Sequence, residues 1–213
     1  MTDLLLNFIV IAIFLVFGAT IFVLLKQKRK RDEDSLIKFA KQNGWKIEQS
    51  RKPLEKSFKI TSREWTLESI ARSEGREAGP GSTNWEMKTT WFISRPGSTI
   101  LIGPRKTRLD IDKHAEKLIN QIMTVALGKG ADGLREVNIG SAKFMEHYLV
   151  MAQDEERVNT FLTPKLQYAL LNWTKRPLLI KRTSSGITIE LKGENLKTPD
   201  QIQSFILLGE QTI

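Results

Sequence analysis

The chain has 213 residues and no cysteine, which excludes disulfides, thiolate metal sites and a cysteine nucleophile. Its net charge is +9, but Lys26, Lys28, Arg29, Lys30 and Arg31 alone contribute five of the positive charges. From Asp32 onward 28 basic residues face 23 acidic ones, a net of +5, so the high isoelectric point is no argument for nucleic-acid binding.

The first element is apolar. Leu4–Leu25 contains no Asp, Glu, Lys or Arg, and only Asn7 and Thr20 are polar. As a helix it would be roughly 30 Å long, the thickness of a bilayer's hydrocarbon core. A cleaved signal peptide is the rival reading, but there the cations precede a shorter apolar run and a small-residue cleavage site follows it. The order here is reversed, which predicts an uncleaved, single-pass transmembrane anchor. Lys26, Lys28, Arg29, Lys30 and Arg31 resist translocation, so the N-terminus is expected outside and the C-terminal domain in the cytoplasm, at the cell (inner or plasma) membrane. The same cluster suits anionic headgroups, at about 1 kcal/mol per basic residue. Asp32-Glu33-Asp34 then reads as a solvated joint or as the acidic first turn of the next helix.

Ser35–Asn43 has helical spacing, with Gly44 as its C-cap. Trp45–Glu48 alternates as a strand, interrupted by Arg51-Lys52-Pro53. Phe58–Ile60 and Glu64–Ile70 are further strands, the second with Trp65, Leu67 and Ser69 on one face. Arg72–Ser82 is a glycine-rich loop. Thr83–Ile93 places Trp85, Met87, Thr89 and Trp91 on one face, and Thr99–Ile102 is a short strand. Asp110 or Asp112 caps an amphipathic helix carrying Ile111, Ala115, Leu118, Ile119, Ile122 and Val125. Residues 128–133 (GKGADG) form a linker, the most plausible boundary if the domain is divided.

Leu134–Ile139 and Phe144–Ala152 are read as strands. Asp154 opens a helix through Phe161, and Thr163-Pro164 opens another through Trp173. Leu178–Arg182 and Gly186–Leu191 form a hairpin, and Thr198-Pro199 opens a last helix through Leu208. Strands and helices in blocks predict an α+β fold: an N-terminal transmembrane helix (residues 1–31 with its basic flank), then a soluble domain (32–213) of antiparallel sheet with helices packed on one face.

No constellation commits to a reaction. His114 and His147 are the only imidazoles, and without cysteine or His-x-x-x-His a zinc site would need carboxylates recruited from afar. No G-x-S-x-G or S-x-x-K is present, and Ser184-Ser185 belongs to a turn. Gly79-Pro80-Gly81-Ser82-Thr83 lacks the lysine of a phosphate loop, and a strand follows it where a helix is needed. Gly128-Lys129-Gly130 fails for want of a preceding apolar strand. Trp45, Trp65, Trp85 and Trp91 fall on the apolar phase of their strands, which core packing explains more simply than base stacking. Trp173, beside Lys175-Arg176, is the exception. No cofactor, metal or nucleic-acid partner is expected.

The C-terminal pattern Phe144-x-x-x-Tyr148-x-Val150-x-x-x-Asp154, Phe161-Leu162-Thr163-Pro164-x-Leu166 and the hairpin after Pro177 resembles a bacterial family of membrane-anchored domains of unknown function. Phe39-Ala40-x-x-x-Gly44-Trp45 is similar to the start of such domains. The resemblance covers about half the chain and implies an α+β fold but no activity. The leading expectation is a membrane-anchored, non-enzymatic interaction domain that binds a protein partner. A module that binds anionic lipid surfaces is second, and an enzyme assembled from scattered Asp, Glu, Arg and Lys is third.

Overall fold

The computed structural model describes residues 2–73, 85–105, 133–174 and 178–213; for residues 2–15 and 29 it describes the backbone alone. The first element is a continuous helix, α1 (Thr2–Gln42), of 41 residues. It runs through Asp32-Glu33-Asp34 without a joint. Glu33 is held there by an ion pair with Arg51, and the Ser35 hydroxyl donates to the Asp32 carbonyl at 2.7 Å. Helix α1 stops at Gly44, whose φ of 69° is left-handed; its N–H donates to the Lys41 carbonyl at 3.0 Å.

This overturns the transmembrane expectation. Among the described residues no helix is long and apolar enough to cross a membrane. The apolar run ends at Leu25, where the cations start. Beyond the cations the helix packs on the sheet, where Leu36 and Ala40 are buried. The single-pass anchor, its N-terminus-out orientation and the cytoplasmic placement derived from it are accordingly corrected.

Among the described residues nine strands follow: β1 (Lys46–Lys52), β2 (Glu55–Thr61), β3 (Trp65–Ser73), β4 (Trp85–Ile93), β5 (Ile100–Pro104), β6 (Arg135–Glu136), β7 (Tyr148–Ala152), β8 (Leu178–Thr183) and β9 (Gly186–Lys192). They form one antiparallel sheet in the order β1-β2-β3-β4-β9-β8-β5-β7-β6. The first four strands make a meander. The β8–β9 hairpin then inserts between β4 and β5, so the last hairpin of the chain joins the two halves of the sheet. The sheet is therefore continuous across the linker expected near residues 128–133, of which 128–132 lie outside the described residues, as does the helix expected from Asp110 or Asp112 through Val125.

The other helices among the described residues are α2 (Ala142–His147), α3 (Glu155–Phe161), α4 (Pro164–Leu171) and α5 (Pro199–Glu210). Their buried side chains, with Leu36 of α1, share one core with the alternate residues Trp65 and Leu67 of β3, Trp91 and Ile93 of β4, Ile187, Ile189 and Leu191 of β9, and Leu178 and Ile180 of β8. The fold is α+β. Asp154, Thr163 and Thr198 each cap a helix as the sequence predicts; the Thr163 hydroxyl accepts from Leu166 N at 3.2 Å. Phe144–Ala152 is not one strand: its first part is α2, capped by Ser141, whose side-chain oxygen accepts from Phe144 N at 3.2 Å. Phe144 and Tyr148 stack at 5.0 Å across the helix–strand junction. Arg51 and Lys52 do not interrupt β1; they extend it to the Pro53-Leu54 turn, pairing with Lys56 and Glu55 of β2.

Candidate functional site

Leu25, Lys28, Asp32 and Leu36 recur every three or four residues and so share one face of α1. That face stands over the meander and encloses a groove of about 630 Å³, within the range of small-molecule sites. Phe58 of β2, Ala71 of β3 and Met87 and Trp85 of β4 line it from the sheet, and Asn195, Leu196 and Lys197 close it from the segment before α5. The lining mixes apolar side chains with polar and charged ones. Lys28, Arg51, Lys56 and Lys197 outnumber Asp32 and Glu33, leaving an excess of two positive charges. Arg51 is engaged by Glu33. Lys56 lies 5.4 Å from the centroid of the Trp85 ring, a cation–π contact.

A buried polar set lies at the sheet side of the groove. The Ser69 hydroxyl donates to Asn195 Oδ1 at 2.9 Å, and Thr89 Oγ1 lies 2.9 Å from Ser69 Oγ. Since the Ser69 proton goes to Asn195, the Thr89 hydroxyl is the donor in the second bond. The chain Thr89→Ser69→Asn195 ends on a neutral amide oxygen. Ser69 therefore has hydrogen-bond partners but no base to activate it as a nucleophile. At the same end, Arg72 clamps Glu55 through Nε at 2.9 Å and Nη2 at 2.6 Å, tying β3 to β2. The Arg72 hydrogen bond holds the Glu55 carboxyl below the usual carboxylate range.

The basic cluster sits in mid-helix. Lys26, Lys28, Lys30 and Arg31 are exposed; Arg29 has its backbone in α1 and its side chain outside the described residues. Of the four exposed cations, Lys28 is the one that lines the groove. On the N-terminal side of the cluster, Val16, Phe17, Ile21, Phe22, Val23, Leu24 and Leu25 are all exposed, Phe22 by 68%. These positions occupy every face of the helix. A soluble surface scatters such residues singly; seven together over ten positions form an uncovered apolar collar.

The other sequence candidates are dispersed. His147 is exposed at the end of α2, its Nδ1 2.9 Å from the Lys143 carbonyl. It belongs to a helix, not to the strand expected for it. His114, Gly79–Thr83 and Gly128–Gly130 lie outside the described residues. Ser185 shares a hydrogen bond of 2.8 Å with Thr183 within the β8–β9 turn. Trp65 and Trp91 are core residues, while Trp45 packs edge-on against Trp65 and Phe39. Trp173 is partly buried against Phe205, and Trp85 is the tryptophan that reaches the groove margin. Among the described residues no three His, Asp or Glu side chains converge as a metal site.

The groove itself was hidden from sequence reasoning. Its lining runs from Leu25 to Lys197, and no local spacing joins those residues. The one signal in the sequence is the three-to-four spacing of Leu25, Lys28, Asp32 and Leu36 across the apparent joint.

No family model matches the chain, and no curated protein or solved structure matches it. The resemblance rests on the residues quoted for it alone.

Proposed function

We propose that the chain is a non-enzymatic binding module that docks on an anionic lipid surface through α1. One observation carries the reading: the exposed apolar collar Val16–Leu25 runs directly into the cations Lys26–Arg31 on the same helix. Apolar side chains on every face need an apolar medium that the rest of the described chain does not supply. Cations at one end of that stretch need a polar, negatively charged boundary. The outer part of an anionic leaflet offers both within one helix length.

The magnitudes are adequate. Five basic side chains near such a surface contribute up to about 5 kcal/mol at roughly 1 kcal/mol each. Burial of the apolar collar adds about 25 cal/mol for each Å² removed from water. A protein partner would cover the collar equally well, but it gives no reason for the cations to adjoin it.

The test is co-sedimentation of the full chain with vesicles of phosphatidylcholine alone or with one-third phosphatidylglycerol. Tight, salt-sensitive binding to the anionic vesicles is expected. Replacing Lys26, Lys28, Arg29, Lys30 and Arg31 together by Gln is expected to weaken it at least a hundredfold. Equal binding of that variant overturns the role of the cations. Failure of the parent chain on both vesicles, with a stoichiometric protein co-purifying through α1, establishes the protein-partner reading in its place.

A further inference from the structure

The groove and the docking helix share residues. Leu25 is the last member of the apolar collar and also the first wall residue of the groove; Lys28 belongs to the basic cluster and also to the groove margin. From Leu25 to Leu36 the α1 wall is about 16 Å long. Opposite it stand Phe58 and Met87, both partly exposed, between the exposed Lys56 and Trp85 at one end and the buried Ile60, Thr89 and Trp91 at the other. A groove with apolar walls at Leu25, Leu36, Phe58 and Met87 and an excess of cationic side chains suits an amphiphile with an acidic head.

We infer that this groove holds one molecule of a single-chain anionic lipid, its acyl chain between α1 and the Phe58–Met87 side of the sheet and its acidic head at Lys28 and Lys197. The inference rests on the lipid-docking reading of α1, because a docked α1 would bring Leu25 and Lys28, and with them the groove, to the headgroup layer. Charge supports an anionic over a neutral head: the margin carries two more positive than negative side chains, and the exposed Lys197 lies on the segment remote in sequence from the α1 cluster. The buried Ser69–Thr89–Asn195 set has committed its hydroxyl protons internally, so selectivity falls to the lysines.

The probe is lysophosphatidylglycerol, titrated calorimetrically into the full chain below the concentration at which the lipid forms micelles. One-to-one binding is expected. Lysophosphatidylcholine of the same chain length, which has no net charge, is expected to bind at least tenfold more weakly, and glycerol 3-phosphate alone not measurably. Lys197→Glu is expected to weaken lysophosphatidylglycerol at least tenfold. Met87→Trp, which fills the groove from a partly exposed position, is expected to abolish the one-to-one event. Both variants should sediment with anionic vesicles as the parent does, which verifies that they are folded and separates the two proposals. Binding without fixed stoichiometry, equal affinity for the two lysolipids, or indifference to both substitutions overturns the groove assignment while leaving vesicle docking in place. One-to-one binding in a chain that fails to sediment with vesicles retains the groove and overturns the docking.

Discussion

Gly209 of α5 lies against the indole of Trp91 on β4, so closely that a methyl group at Gly209 would stand 2.5 Å from the Trp91 Cδ2. Trp91 is fully buried, and Gly209 is what lets the helix approach it. Glycine inside a helix costs up to about 1 kcal/mol relative to alanine. The contact reverses the usual sign of that exchange. Gly209→Ala is expected to lower stability by about 1–3 kcal/mol, because overpacking a filled core outweighs the propensity gain. Urea unfolding measures it. In a Trp91→Phe background the same substitution should cost less, and equal costs in both backgrounds would show that the contact is not the cause.

Tyr148 joins β7 to α4 by a different device. Its hydroxyl donates to the Leu170 carbonyl at 2.9 Å, and burial pushes its phenol pKa upward. Leu170 also accepts from Trp173 N at 3.1 Å, so losing the tyrosine hydroxyl leaves no orphaned carbonyl. Tyr148→Phe is therefore expected to cost about 1 kcal/mol, the net value of one ordinary hydrogen bond. A loss above about 3 kcal/mol in thermal unfolding would mean that the hydroxyl supports more than this bond.

Much of the fold is legible where one local rule dominates. The alternation of Trp65, Leu67 and Ser69 marks β3, and Asp154, Thr163 and Thr198 mark helix starts because their side chains satisfy free N–H groups. Reading fails where two rules compete. Phe144 and Tyr148 are four residues apart, a spacing that suits a helix face and equally an alternating strand, and the Ser141 cap decides for α2. Asp32–Asp34 reads as a joint because charge runs favour solvent, yet the helix continues because Glu33 finds Arg51 on β1. The apolar run at the N-terminus suggests a span by its length alone. Among the described residues no helix is long and apolar enough to cross, and the helix that carries the run ends packed on the sheet. The groove needs six segments to meet, and nothing short of tertiary structure records that.

The α5 start offers a sharper test of capping. Thr198 Oγ1 accepts from Gln201 N at 3.4 Å, while Gln201 Oε1 accepts from Thr198 N at 3.4 Å and from Lys197 N at 2.9 Å. Pro199 at the first helical position has no N–H to satisfy. Thr198→Ala should cost about 1 kcal/mol and Thr198→Ser almost nothing, since serine retains the accepting oxygen. Because Lys197 borders the groove, Thr198→Ala should also weaken lysophosphatidylglycerol binding, whereas Thr198→Ser should not. Calorimetric titration of the two variants distinguishes them.

Glu190 of β9 is the carboxylate whose ionisation matters most to the described fold. It is buried, with Lys181 Nζ at 2.7 Å and Lys88 Nζ at 3.5 Å. Burial alone would raise its pKa, but the Lys181 hydrogen bond and the charges of Lys181, Lys88 and Lys192 outweigh that and hold it below the usual carboxylate range. The Glu48 and Glu55 pKa values are lowered too, by the Lys46 and Arg72 hydrogen bonds, but both residues face solvent, where such pairs contribute little. With the folded pKa of Glu190 below the unfolded one, the unfolded chain binds the extra proton between the two values. Stability is therefore complete above the ordinary carboxylate pKa and falls as pH drops through the lowered one. Urea unfolding from about pH 7 down to about pH 3 should show that decline. Glu190→Gln should flatten it and cost about 3 kcal/mol near neutral pH, because Lys181 is left charged and largely buried. Removing both partners, Lys181→Met with Glu190→Leu, should recover most of the loss, since the pair's main effect is to neutralise its own desolvation. If the double variant is no more stable than Glu190→Gln near neutral pH, the Lys181–Glu190 pair stabilises the sheet beyond mutual neutralisation.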